Sequence, residues 1–212
     1  MLINEIFMSI QGESTYAGLP CIFVRLAGCN LSCSWCDTPY ARVPDEAQDL
    51  AVEQIMAEIK KYNCGLVEIT GGEPLLQDDS KKLAKRLLED GYAVLLETNG
   101  SVSLKGLDDR VVKIVDVKCP SSGQGGSFLM ENLDYILPQD EVKFVIGNRD
   151  DYECAKKFIE DCLKDRTANI LFAPVKPDLE PRQLADWILR DSLRVRLQIQ
   201  LHTYIWSGER GR

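Results

Sequence analysis

Short apolar runs and segments of helical period alternate along most of the chain. The apolar runs predict strands at residues 21–26, 66–70, 93–97, 111–117, 141–146, 169–173 and 194–201. Apolar residues three and four positions apart predict helices at residues 51–62, 80–89, 131–137, 152–163 and 181–189. Strands that alternate with helices in this way are typical of a mainly parallel sheet flanked by helices.

The number of strands limits the architecture. About six such strands are too few to close an eight-stranded barrel, which takes about 250 residues. We therefore expect an α/β fold, a partial and open (β/α) barrel, in a single domain over residues 1–212. Polar or glycine-rich tails follow most strands, in the segments TGGEP, ETNG, DVKCPSSG and LHTY. Ligands of such folds bind at the carboxyl ends of the strands, so these tails are the expected site.

Charge and composition argue against several classes of function. The formal net charge of -8 disfavours broad electrostatic binding of nucleic acid or of an anionic membrane. The N-terminus has no basic region followed by an apolar core, and no apolar run approaches the roughly 20 residues that span a bilayer. We therefore expect a cytoplasmic protein, in which the 8 cysteines are not a disulfide framework.

Three of the cysteines crowd into one predicted loop, and their spacing indicates a metal centre. Cys29, Cys33 and Cys36 form C-x3-C-x2-C after the first predicted strand. On a short loop, three thiolates can converge on one 4Fe-4S cubane and leave one iron for a bidentate ligand such as S-adenosylmethionine. A tetrahedral zinc site is an alternative, but it needs a fourth ligand from a distant residue. A redox C-x2-C pair is another, although no thioredoxin-like context surrounds it.

A second motif, Gly71-Gly72-Glu73-Pro74, follows the next predicted strand. The two motifs in this order resemble those of the radical S-adenosylmethionine superfamily. The resemblance implies that the glycine segment contacts the methionyl amino group, and glycines permit such a close approach of the backbone. The cofactor contacts that it implies are Ser34, Trp35, Gly71, Gly72, Glu73, Asn99, Asp116, Lys118 and Pro174. Taken alone, the glycines also fit an ordinary turn, and Trp35 fits an ordinary core aromatic.

Several longer segments resemble one family within that superfamily. They are residues 6–13, 23–31, 36–38, 97–100, 116–122 and 200–204. These segments closely resemble the 7-carboxy-7-deazaguanine synthases of queuosine and 7-deazapurine biosynthesis. The resemblance implies a carbon–nitrogen lyase that converts 6-carboxy-5,6,7,8-tetrahydropterin to 7-carboxy-7-deazaguanine and ammonia. It also implies Mg2+ beside the cluster and S-adenosylmethionine, with the Thr38 hydroxyl as a magnesium ligand.

The substrate implied by this resemblance has a carboxylate and a hydrogen-bonding aminopyrimidinone edge. The guanidinium of Arg25 can meet the carboxylate with two parallel hydrogen bonds. The other expected substrate-binding residues are Ile10, Gln11, Gly12, Glu13, Thr70 and His202. His202 is the only histidine, near the end of the last predicted strand, and a lone histidine is more often structural. Its match to the family's substrate-contacting histidine reverses that balance.

The resemblance further implies a homodimer and an external reductant such as flavodoxin or ferredoxin. Ser14 departs from the family pattern, where many relatives have glycine, and so does Thr203, where lysine commonly follows the histidine. Two other functions stay open at this point. A glycyl-radical activase shares the cysteine motif but gives no reason for Arg25, and a non-enzymatic zinc-binding module needs no radical chemistry.

Overall fold

The computed structural model describes residues 1–164, 168–207 and 209–211. Its centre is one sheet in the spatial order β3-β1-β2-β4-β5-β6-β7-β8-β9. The strands are β1 (Leu2–Ile10), β2 (Pro20–Leu26), β3 (Gln48–Asp49), β4 (Leu66–Gly71), β5 (Ala93–Thr98), β6 (Val112–Asp116), β7 (Glu141–Ile146), β8 (Asn169–Pro174) and β9 (Arg196–Leu197). Strand β1 is antiparallel to β2 and β3, and every pair from β2 to β9 is parallel. In the described residues β3 and β9 are the two edges of the sheet and do not pair with each other, which confirms the expected open α/β barrel.

Among the residues that the structure describes, four helices connect the strands and cover the outer face of the sheet, and a fifth, short helix follows the last strand. They are α1 (Val52–Ile59), α2 (Asp79–Glu89), α3 (Arg149–Phe158), α4 (Pro181–Asp191) and α5 (Leu201–Ile205). Helix α1 buries Ile55, Met56 and Ile59 on one stripe, as an amphipathic helix on a sheet must. Helix α3 begins after Asn148, whose side chain accepts from the Asp151 amide at 3.0 Å. None of the helices in the described ranges is long and apolar enough to cross a bilayer.

The two faces of the sheet differ, and this difference places the site. The outer face belongs to the main core, which includes Phe144 and the apolar stripes of the helices. The inner face carries a smaller apolar cluster that includes Leu95 and Ile114. Because side chains two residues apart share a face, Glu97 and Asp116 follow them inward along the same strands. The inner face is therefore apolar in its middle and charged at the carboxyl ends of the strands.

The prediction was wrong at both ends of the chain. Strand β1 was missed because most of its residues are only half-buried near the sheet edge, which weakens the alternation that marks a strand. The predicted strand 194–201 shrinks to β9, since the Leu201 amide donates to the Gly12 carbonyl at 3.0 Å beside the loop after β1. His202 consequently lies on α5 and not on a strand. The predicted helix 131–137 is a 3-10 helix over Met130–Tyr135.

Candidate active site

A cleft of about 580 Å³ opens at the carboxyl ends of the parallel strands. Its lining contains most of the residues that the sequence singled out. They are Ile10, Gln11, Gly12, Glu13, Arg25, Cys29, Cys33, Trp35, Cys36, Thr38, Thr70, Gly71, Gly72, Asn99, Asp116, Lys118, Pro174 and His202. The structure thus brings together the predicted cofactor and substrate residues in one space. Ser34 and Glu73 are outside the lining.

The cysteine loop and the glycine loop dock on each other through their backbones. The Gly72 amide donates to the Leu26 carbonyl at 3.1 Å, and the Glu73 amide donates to the Gly28 carbonyl at 2.8 Å. A Cβ atom at Gly72 would lie 2.2 Å from the Gly28 carbonyl oxygen, which is far inside van der Waals contact. Gly71 has φ +146, and a Cβ there would lie 2.2 Å from the Leu26 carbonyl oxygen. The glycine pair is therefore needed for the two motifs to meet.

The side chain of Glu73 is used inside the protein. It is 0% exposed and accepts from the Leu75 amide, the Thr98 hydroxyl and the Asn99 amide at 2.7–3.0 Å. Burial raises the pKa of this carboxyl, although the hydrogen bonds oppose the rise. The side chain of Ser34 likewise donates to the Ser122 carbonyl at 3.1 Å. Glu73 joins the loops after β4 and β5, and its carboxylate is used in these bonds within the protein.

The donor set at the cysteine loop suits an iron–sulfur cluster. Cys29, Cys33 and Cys36 are free thiols, half-buried in the cleft wall. Burial raises the pKa of Cys33, and the nearby Lys118 ammonium opposes this rise. The Asn99 side-chain nitrogen lies 3.9 Å from the Cys29 sulfur. Three thiols on one loop, with amide and ammonium donors beside them, fit a cubane that takes three thiolates from the protein.

One oxygen atom of Asp116, which lines the cleft, is suited to accept a hydrogen bond from a ligand. Its Oδ2 accepts from Lys118 Nζ at 2.7 Å, and Lys118 with Lys143 keeps the pKa of the carboxyl lowered against the effect of burial. Its Oδ1 is buried and has no hydrogen-bond partner among the described residues. A buried acceptor without a donor is costly. A bound molecule that donates to Asp116 would remove this cost.

Arg25 is oriented from behind by residues that the sequence analysis missed. Its Nε donates to Glu5 Oε1 at 2.7 Å, and the Tyr40 hydroxyl donates to the same oxygen at 2.8 Å. The guanidinium lies 5.9 Å from the Phe7 ring centroid. Although burial alone would lower it, Tyr40 and Glu5 raise the pKa of Arg25, so its charge is kept. Nε is the nitrogen used in its hydrogen bonds to the described residues, which leaves the two-nitrogen edge for an anion.

Segments from the two ends of the chain meet at the other side of the cleft. Gln200 Nε2 donates to Glu13 Oε1 at 2.9 Å. A Cβ atom at Gly12 would lie 2.4 Å from His202 Nδ1, so glycine is required for the contact. A carboxylate oxygen of Glu13, a carboxylate oxygen of Asp37 and a ring nitrogen of His202 lie within 4.8 Å of one another. His202 is therefore placed by the loop after β1, not by the sheet.

A buried charge network at the floor of the cleft was also missed. Lys143 Nζ contacts Glu97, lies 2.9 Å from Glu13 Oε2 and lies 3.6 Å from Asp116 Oδ2. The Glu68 carboxylate accepts a hydrogen bond from the side-chain nitrogen, Nε2, of Gln11. Burial, followed by the charges of Glu97 and Glu13, raises the pKa of Glu68 well above its usual range. The available signal was a charged residue at an inward position of each of the mostly apolar strands β4, β5, β6 and β7.

Comparisons with known proteins identify the family of the chain. The model of the radical SAM superfamily matches residues 23–188. The 7-carboxy-7-deazaguanine synthase of Koribacter versatilis is 47% identical, over 99% of this chain and 98% of that protein. The synthase of Chlorobaculum tepidum is 45% identical, over 98% of this chain and 94% of that protein. The crystal structure of QueE from Escherichia coli has a TM-score of 0.80 at 26% identity, over 95% of this chain and 94% of that chain.

These similarities resolve the alternatives that the sequence left open. A match to the superfamily over most of the chain decides against a zinc-binding module, and it implies a 4Fe-4S cluster and S-adenosylmethionine. Full-length relatives with one enzymatic name decide against a glycyl-radical activase. The chain belongs to the radical SAM superfamily and, within it, to the 7-carboxy-7-deazaguanine synthases.

Proposed function

We propose that the protein converts 6-carboxy-5,6,7,8-tetrahydropterin to 7-carboxy-7-deazaguanine and ammonia in the queuosine and 7-deazapurine pathway. The observation that carries this proposal is the shared cleft, in which the three cysteines and Arg25 face one space of about 580 Å³. When bound, the cluster and S-adenosylmethionine supply the radical chemistry. The protein's own residues bind and orient the substrate and keep water from it.

The substrate carboxylate binds to Arg25 in this proposal. Glu5 and Tyr40 hold the Nε side of the guanidinium, so the opposite edge is presented in a fixed orientation. A guanidinium edge matches a carboxylate with two parallel hydrogen bonds. The pterin ring then extends towards Gln11 and His202, with Glu13, Thr70 and the backbone of Ile10 and Gly12 along its polar edge.

The cofactor binds on the other side of the cysteine loop in this proposal. The backbone of Gly71 and Gly72 takes its amino acid part, since neither residue has a side chain in the way. Asp116 offers its unpartnered Oδ1 as an acceptor. The remaining contacts that we propose are Ser34, Trp35, Glu73, Asn99, Lys118 and Pro174.

Magnesium is proposed to bind at Thr38, beside the cluster and the substrate carboxylate. The Thr38 hydroxyl is 4.0 Å from the Cys36 sulfur and 3.3 Å from Asp37 Oδ1. Mg2+ prefers oxygen ligands and usually retains several waters. Thr38→Ala should weaken the dependence of product formation on magnesium and leave the visible absorbance of the cluster unchanged. Loss of that absorbance in the variant would assign a structural role to Thr38 instead.

We further propose a cytoplasmic homodimer that receives electrons from a flavodoxin or ferredoxin. The negative net charge fits an enzyme that acts on a small molecule better than one that acts on nucleic acid. Light scattering of the purified protein tests the dimer directly. A monomer at micromolar concentration would contradict it.

The test of the activity is an anaerobic assay. Protein with reconstituted cluster is reduced and mixed with S-adenosylmethionine, Mg2+ and the carboxytetrahydropterin, and the products are separated by chromatography and mass spectrometry. We expect deazaguanine and ammonia, which together contain all the atoms of the substrate, whereas net 5′-deoxyadenosine reports cleavage of the cofactor without turnover. Cleavage of the cofactor without any deazaguanine would refute the proposed substrate.

A further inference from the structure

Lys143 connects the two halves of the cleft through carboxylates. It lies on β7 directly opposite Asp116 of β6 in the parallel register. Its Nζ is in ion-pair contact with Glu13 from the loop after β1, Glu97 from β5 and Asp116. Glu13 belongs to the proposed substrate side and Asp116 to the proposed cofactor side. One ammonium thus contacts both sides at once.

The ammonium is buried, and it is surrounded by these carboxylates. The Lys143 side chain is 5% exposed, so water contributes little to its solvation. Two of its three donors are used in hydrogen bonds to Glu13 and Glu97, and the third carboxylate, Asp116, lies farther away at 3.6 Å. The three carboxylates raise the pKa of Lys143 well above its usual range, although burial alone would lower it. The group therefore stays charged and holds its neighbours in place.

Lys143 is one of three cations that face four carboxylates in this part of the cleft, so its loss would leave two. The carboxylates of Glu13, Glu68, Glu97 and Asp116 face this part of the cleft, against Lys118 and Arg25 as the other nearby cations. Buried carboxylates that lose a shared cation repel one another, and one of them takes up a proton or turns away. Glu13 would be affected first on the substrate side. Its amide also donates to Gln11 Oε1 at 2.9 Å, so a displaced Glu13 would shift Gln11 as well.

We propose that Lys143 is a positioning residue, which acts through Glu13, Glu97 and Asp116 to hold the pterin in line with the cofactor. The inference rests on the proposed function and adds a residue to it. In this proposal Lys143 has no direct step in the reaction, because its ammonium is held between protein carboxylates. Its loss should let the cofactor be cleaved while the pterin is misplaced. A misplacement of about 1 Å can lower a rate roughly 100-fold.

The chain provides a matched control in Lys113. Its side chain is 2% exposed and pairs with Asp140 at 2.8 Å. Lys113 is one position from Ile114, which lines the cleft, so its side chain points to the opposite face of β6. Lys113 and Lys143 are thus buried lysines with carboxylate partners on neighbouring strands. Only one of them reaches the cleft.

The experiment measures deazaguanine formed per 5′-deoxyadenosine formed, together with KM for the pterin, per mole of bound cluster. We expect Lys143→Met to lower the ratio roughly 100-fold and to raise KM, with Lys143→Arg restoring most of the ratio because it keeps the charge. Lys113→Met should keep the wild-type ratio even where it lowers the yield of folded protein. If Lys143→Met does not fold, the charge-balanced pair Lys143→Met with Glu97→Gln is measured instead, with the same expected fall.

The possible outcomes separate the inference from the proposed function. A wild-type ratio and KM in the Lys143 variants, with an active wild-type protein, would overturn the positioning role alone. Equal losses in the Lys113 and Lys143 variants would assign a merely structural role to both lysines and would also overturn it. An inactive wild-type protein would refute the proposed function, and the inference would fall with it.

Discussion

The proposed cofactor side and the proposed substrate side of the cleft are held together by different kinds of interaction. On the cofactor side, the cysteine loop and the glycine loop are joined by backbone hydrogen bonds and by the absence of side chains at Gly71 and Gly72. On the substrate side, charged side chains from distant segments meet, as Glu5 does with Arg25 and Glu13 with Lys143. The first construction depends on short local motifs, and the second depends on which strands the fold makes adjacent.

This difference has a consequence for tolerance to substitution. Backbone docking at van der Waals distance allows almost no change of side chain, because an added Cβ has nowhere to go. A charge network can be altered in steps, since a cation or carboxylate can be replaced by a group of similar size. Substitutions on the cofactor side should therefore abolish or impair cofactor chemistry itself. Those on the substrate side should mainly change affinity and coupling.

The largest effect is expected at the cysteine loop. Cys33→Ser should remove the bound cluster, because an alcohol is a poor iron ligand compared with a thiolate. Both cofactor cleavage and deazaguanine formation should then be undetectable. Iron and sulfide analysis after anaerobic reconstitution checks this, with the exposed Cys154→Ser as a control that keeps full iron content. Full iron content in Cys33→Ser would mean that the cluster lies elsewhere.

The next largest effect is expected at Arg25. Lysine keeps the charge but cannot offer two parallel hydrogen bonds to a carboxylate. Arg25→Lys should raise KM for the pterin roughly 10- to 100-fold, the equivalent of one charged hydrogen bond of about 1.5–3 kcal/mol. KM for S-adenosylmethionine should not change.

The control for this substitution is Arg86→Lys on α2. Arg86 also pairs with a carboxylate through Nε, at 3.1 Å from Asp90, but on the surface. Its variant should keep both KM values. An unchanged KM for the pterin in Arg25→Lys would place the substrate carboxylate at another residue.

A smaller effect is expected from Gly72→Ala, which tests the docking of the two loops. The new Cβ would be forced against the Gly28 carbonyl, and overpacking of this kind costs about 1–3 kcal/mol. We expect weaker binding of S-adenosylmethionine, measured by equilibrium dialysis on the reconstituted protein. Gly65→Ala is the matched control, because among the described residues other than its two chain neighbours no heavy atom lies within 4 Å of a Cβ at that position. Equal affinity in the two variants would contradict the steric account.

The smallest effect is expected at Ser14, where the sequence analysis expects glycine in many relatives. Ser14 has φ +64, a conformation that costs a residue with a Cβ about 1–2 kcal/mol and costs glycine almost nothing. Its hydroxyl accepts from the Tyr16 amide at 3.0 Å, which offsets part of this cost. Ser14→Gly should therefore be more stable than Ser14→Ala by about 1 kcal/mol in urea denaturation. The opposite order would show that backbone strain at this loop is not what favours glycine.

The sequence was sufficient for most of the parallel sheet and for the cofactor side. Strands such as β4 and β7 are buried on both faces, so their apolar runs are strong signals. It was insufficient where the periodicity is weak or the contact is distant. The placement of His202 on a helix could not be predicted. Helix α5 begins where Leu201 contacts Gly12, and Gly12 is far from it in the sequence.

The sequence by itself determined the cysteine loop, the glycine loop and the order of the parallel strands from β2 to β8. These features depend on neighbours a few positions away, through thiol spacing, close backbone approach and periodic burial. Only the tertiary structure decided that Lys143 meets Glu13, Glu97 and Asp116, and that Glu5 and Tyr40 stand behind Arg25. The physical reason is that an ion pair carries no local signal. Its partners become visible only when the strands and loops that carry them lie side by side.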